Sequence, residues 1–109
     1  DGDTLAVVFG GLPSIFGKPM GLRIAGMDTP ELRGGCEHER RMAVLARDTL
    51  TRFLARAERV WVRNLERDKY FRVLAEVWVD SHNVADLMIE QGLAYPYAGG
   101  TKLNPWCPA

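Results

Sequence analysis

Two segments of the chain alternate with the two-residue period of a half-buried strand. Between Met20 and Met27, Leu22 and Ile24 alternate with Arg23 and Ala25. Between Phe71 and Val79, Phe71, Val73, Ala75, Val77 and Val79 alternate with Arg72, Leu74, Glu76 and Trp78. Thr4 to Phe9 is apolar and rich in β-branched residues, and Val60 to Asn64 is a shorter run of the same kind, so both read as strands. From Glu37 to Ala57 the period changes to that of a helix. Met42, Leu45, Ala46, Leu50, Phe53 and Leu54 form an apolar stripe, with Thr49 its one polar position and most of the arginines off it. A shorter helix is expected from Val84 to Gln91, with Val84, Leu87 and Met88 buried. Asn83 is its N-cap, Asp86 completes an imperfect capping box, and Gly92 takes the C′ position.

Turn chemistry separates these elements. Asp1-Gly2-Asp3 reads as a tight turn, and Gly10 to Pro19 as a long hairpin connection. Glu66 to Lys69 reads as a charged connection, and Asp80-Ser81-His82 as a turn. Ala94 to Ala109 has little periodicity and reads as an ordered tail or loop. Four or five short strands, one long helix inserted among them and one short helix after them predict a mainly β fold. The expected form is a five-stranded OB-fold barrel, with a two-layer α+β sheet as the alternative. At 109 residues the chain makes one domain, 1–109. It opens on a turn sequence, so in its full form we expect it to be preceded by further residues, including a strand and an export signal.

No run approaches the roughly 20 apolar residues of a membrane span. The formal net charge is zero, which argues against a non-specific polyanion binder. The charge is uneven, however, because only Lys102 among the basic residues follows Val73. The two cysteines, Cys36 and Cys107, permit one disulfide suited to an exported protein, or two reduced thiols. Cys36, His38, His82 and Cys107 match no standard zinc spacing. Trp61, Trp78 and Trp106 are able to stack on bases, although packing in the sheet and against the body is the simpler expectation.

Three clusters carry candidate chemistry: Asp1-Gly2-Asp3-Thr4, then Leu22-Arg23-Ile24-Ala25-Gly26-Met27-Asp28-Thr29-Pro30-Glu31, then Asp68-Lys69-Tyr70-Phe71-Arg72. Carboxylates suit a hard cation, and arginines suit a phosphodiester whose oxygens gain charge. With Val84-Ala85-Asp86-Leu87-Met88-Ile89-Glu90-Gln91-Gly92-Leu93-Ala94, these motifs resemble the staphylococcal nuclease (thermonuclease) family over almost the whole chain. The resemblance implies an OB-type barrel and calcium-dependent hydrolysis of DNA and RNA, single strands preferred, by a monomer. It implies that Asp3 and Asp28 bind Ca²⁺ by carboxylate and Thr29 by its backbone carbonyl. Arg23 and Arg72 then hold the scissile phosphate, and Glu31 sits beside the attacking water. Lys69 and Tyr70 meet a neighbouring phosphate, and Tyr97, or else Tyr95, lies near the phosphate. A secreted or periplasmic protein is expected, with a non-catalytic OB module for nucleic acid or protein as the rival reading.

The chain departs from the family pattern at Phe71, where the best-known member has glycine. Its Gly10 to Pro19 connection is longer, and its loop between Glu31 and the first helix is shorter. The proposed site also carries a geometric requirement. Arg23 and Asp28 are an odd number of residues apart, so a regular strand places them on opposite faces and about 16 Å apart. The strand must therefore bend, and Gly26 is the place for it.

Overall fold

The computed structural model describes residues 4–7, 20–67, 73–100, 102 and 105–107. These residues form seven strands and two helices. Strand β1 (Thr4–Val7) runs antiparallel to β2 (Met20–Ile24), with Thr4 opposite Arg23. On its other edge β2 pairs in parallel with β5 (Val73–Val79), Leu22 opposite Val73 and Arg23 opposite Leu74. Strand β4 (Val60–Arg67) lies antiparallel on the far side of β5. The sheet order is β1-β2-β5-β4, and the two-residue β6 (His82–Asn83) also pairs with β5. A second, two-stranded ladder joins β3 (Gly26–Asp28) to β7 (Tyr95–Tyr97). Helices α1 (Glu37–Arg56) and α2 (Val84–Glu90) complete a mainly β fold of the OB type.

The expected single strand from Met20 to Met27 is divided in two. Ala25 still donates its N–H to Ala75, at 2.8 Å, and then Gly26 takes φ +90°. That conformation suits glycine, which has no Cβ to clash. The chain turns there and starts β3 in a different ladder.

Three other expectations need correction. Strand β4 runs on to Arg67, so Glu66 and Arg67 are strand residues rather than a connection. The register with β5 shifts between Arg63 and Glu66, where Asn64 has φ +54°, a bulge built on a residue that tolerates the left-handed region. The tail is not all loop, because Tyr95–Tyr97 forms β7. Leu45, assigned to the buried stripe of α1, is 47 % exposed. The buried line runs instead through Glu39, Ala43, Ala46, Thr49 and Leu50, flanked by Met42, Phe53 and Leu54. Steps of three and four residues connect these positions, and Leu45 stands about 100° around the helix from Ala46.

The core joins Leu22 and Ile24 of β2, Met27 of β3, Ala46 and Leu50 of α1, Ala75, Val77 and Val79 of β5, and Val84 and Met88 of α2. Helix α2 is capped as its sequence indicates. Asn83 Oδ1 accepts the Ala85 N–H at 2.9 Å. Gly92, with φ +74°, donates to the Ile89 carbonyl at 3.0 Å. Cys36 and Cys107 are joined in a disulfide, with Cα atoms 5.9 Å apart. Among the described residues no helix is long and apolar enough to cross a membrane.

Candidate active site

The bend at Gly26 brings Arg23 and Asp28 back onto each other. Arg23 Nη2 lies 3.1 Å from Asp28 Oδ1 and 3.4 Å from the Met27 carbonyl oxygen. Both side chains are buried, Arg23 being 8 % and Asp28 4 % exposed. A buried charge is tolerated only when paired and hydrogen-bonded, and Asp28 meets that condition from three sides. Besides Arg23, Lys102 Nζ lies 3.1 Å from Oδ1, and the Tyr95 hydroxyl donates to Oδ2 at 2.6 Å.

Thr29 and Pro30 follow, both buried, and Glu31 then points outward, exposed. The loop after it is held by Glu39, a buried carboxylate one turn into α1. Glu39 Oε2 accepts the Glu31 N–H and Oε1 accepts the Gly35 N–H, each at 3.1 Å. The Gly34 N–H closes a turn on the Glu31 carbonyl at 2.9 Å, and Arg40 Nη1 donates to the Gly34 carbonyl at 2.9 Å. A Cβ on Gly34 would clash with the end of the Glu39 side chain, so glycine at 34 leaves the carboxylate room against the loop. Cys36 is the N-cap of α1, its sulfur accepting the Glu39 N–H at 3.4 Å while bonded to Cys107.

A cleft of about 230 Å³ opens between this loop and the tail, lined by Asp28, Thr29, Glu31, Arg33, Gly34, Gly35, Glu39, Lys102 and Trp106. It therefore gathers three carboxylates with two cationic side chains. Oxygen donors of this kind suit a hard divalent cation. That an ammonium already lies against Asp28 Oδ1 indicates that the oxygen draws a positive group. The donor set fits a hard divalent cation such as Ca²⁺, and Asp28 is the buried carboxylate that could hold it.

The structure brings together Arg23, Asp28, Thr29 and Glu31. Tyr97 is near but makes different contacts from Tyr95. Its ring lies 5.8 Å from the Arg23 guanidinium carbon and 5.7 Å from Lys102 Nζ, and its hydroxyl donates to the Gly100 carbonyl at 2.8 Å. Asp3, Lys69, Tyr70 and Arg72 lie outside the described residues. The disulfide removes Cys36 and Cys107 from any thiolate metal site. Trp61 and Trp78 stack across β4 and β5 at 5.3 Å, and Trp106 sits 6.2 Å from Tyr95 at the cleft.

Two site residues escaped the sequence reading. Glu39 stands three residues after Cys36, the N3 place of a capping box, but cysteine is not a usual cap. Lys102 was visible only as the lone basic residue after Val73.

No curated protein matches the chain. Residues 21–104, however, match the family model for staphylococcal nuclease homologues. The match begins on β2 just before Arg23, takes in Asp28, Glu31 and Glu39, and extends past Lys102. Most of the chain and every described side chain of the cleft except Trp106 fall within it, and the protein belongs to the staphylococcal nuclease family.

Proposed function

We propose that this protein is a Ca²⁺-dependent nuclease, hydrolysing phosphodiester bonds of DNA and RNA with little sequence preference. The observation that carries this reading is the buried Arg23–Asp28 pair at a carboxylate-lined cleft beside an exposed Glu31. In this assignment Asp28, the Thr29 carbonyl and Asp3 hold the cation. When bound, the cation polarises the phosphodiester and lowers the pKa of water. Arg23 and Arg72 offset the charge that grows on the phosphoryl oxygens, for which a planar guanidinium is suited. Glu31 orients the attacking water or takes its proton, a role open to a carboxylate on an exposed loop. Lys69, Tyr70 and Tyr97 are assigned to the flanking phosphates. The single domain acts as a monomer on single strands first, and the disulfide favours an oxidising, secreted or periplasmic location.

Digestion of single-stranded DNA with Ca²⁺ or with EDTA tests the proposal. Cleavage in Ca²⁺ that EDTA abolishes is expected. Binding that is indifferent to EDTA and produces no cleavage would make the chain a non-catalytic OB module.

A further inference from the structure

We infer that Lys102 is a tethered cation that competes with Ca²⁺ for Asp28, so that this one side chain sets the metal affinity of the site. The inference rests on the calcium reading above. Lys102 Nζ lies 3.1 Å from Asp28 Oδ1, yet the lysine side chain is 45 % exposed while that of Asp28 is 6 % exposed. Of the three described groups that hold this carboxylate, Arg23 is fixed in the buried wall and Tyr95, a neutral donor, belongs to β7. Lys102 alone approaches from the solvent side, on a flexible stem that ends in a compact point charge.

Ca²⁺ takes carboxylate oxygens at about 2.3–2.6 Å. An ammonium already in contact with the same oxygen is a like charge in nearly the same place, so the two cations exclude each other. Tethering makes the lysine an effective competitor, because its local concentration does not fall on dilution. The tether is short and anchored. Cys107 is bonded to Cys36, and Trp106 lies against Tyr95, so the tail is pinned a few residues beyond Lys102. Tyr97, 5.7 Å from Nζ, flanks the ammonium and faces it with an aromatic ring. The apparent metal affinity is then the intrinsic affinity reduced by the fraction of molecules in which Lys102 is away from Asp28.

The test is calorimetric titration of Ca²⁺ alone, without nucleic acid, into the wild type, Lys102→Met and Lys102→Arg. Lys102→Met keeps most of the unbranched side chain and removes its charge. It should tighten Ca²⁺ binding roughly fivefold to tenfold, the worth of one half-exposed charge-assisted contact. Lys102→Arg, which keeps the charge, should stay close to the wild type. If the wild type binds Ca²⁺ and Lys102→Met binds it equally or more weakly, the competition is refuted while the calcium reading stands. If none of the three proteins binds Ca²⁺, the calcium reading fails and takes this inference with it.

Discussion

Arg23 and Glu31 sit in the same short segment under opposite physical constraints. Arg23 is buried against a buried carboxylate, so its removal affects the fold as well as any chemistry. Arg23→Ala should cost about 3 kcal/mol in urea unfolding, the lower end for breaking a buried pair, since Lys102 and Tyr95 still face Asp28. Arg23→Lys should restore part of it, because a single nitrogen, Nη2, makes both the Asp28 and the Met27 contacts, and an ammonium carries the same charge and three donors. Glu31 is exposed, and Glu31→Gln should leave the unfolding midpoint unchanged. It should slow single-turnover cleavage roughly 10²-fold, and unaltered turnover would remove Glu31 from the reaction. Glu76 gives a prediction in pH. The hydrogen bond from Asn64, at 2.7 Å, and then that from Trp78, at 3.0 Å, hold its carboxyl below the ordinary value of 4.5. A carboxylate with a lowered folded pKa stabilises the fold above its unfolded value, and that contribution is lost as pH falls through the folded one. Acid unfolding of Glu76→Gln, followed by circular dichroism, should therefore show a shallower loss of stability below about pH 4.5 than the wild type. The side chain is only partly buried, and solvent screening keeps the difference small.

At the scale of elements, the loop from Glu31 to Gly35 is built by a residue outside it. Glu39 belongs to α1 by sequence, but its carboxylate accepts the N–H groups at both ends of the loop. Gly34→Ala should push that carboxylate off its partners, costing about 1–3 kcal/mol, the usual range for overpacking. It should also slow cleavage by displacing Glu31, and Glu39→Gln should do the same more mildly. A Gly34→Ala protein of wild-type stability and rate would show that the loop is not held in this way. The bend at Gly26 was legible in the sequence, because strand periodicity could not otherwise join Arg23 to Asp28. The cap of α2 was legible because asparagine, the apolar stripe and glycine all gave the same boundaries. The stripe of α1 was read one position off at Leu45, since hydrophobicity alone ranks leucine above alanine and threonine. Packing here selected the small Ala43 beside the expected Ala46 and Thr49. Strand β7 was missed because Tyr95-Pro96-Tyr97 has no length or alternation to signal it, and it becomes a strand only by pairing with β3.

For the whole molecule, the disulfide ties the start of α1 to the tail across a separation of 71 residues. Removing it by Cys107→Ser should lower unfolding stability by about 4 kcal/mol in the chain-entropy model, and peptide mapping without reductant should recover Cys36 and Cys107 linked. An unchanged midpoint in the serine variant would mean that the tail is held by other contacts. The order of the motifs along the chain made the family legible, since chance rarely supplies all of them in one sequence. Lys102 was not legible as a site residue, because nothing local marks it and only the folded path of the tail brings it to Asp28. The parallel seam between β2 and β5 has a kinetic consequence. Leu22 meets Val73 only after α1 and β4, which lie between them, have been laid down. Contacts so distant in sequence are slow to close, so the seam is a late event in folding. The Arg23–Asp28 pair forms on the strand that waits for this closure, and its remaining partners arrive still later in the chain with Tyr95 and Lys102. A polypeptide that lacks the last third of the chain therefore lacks two of the three described partners of the Asp28 carboxylate.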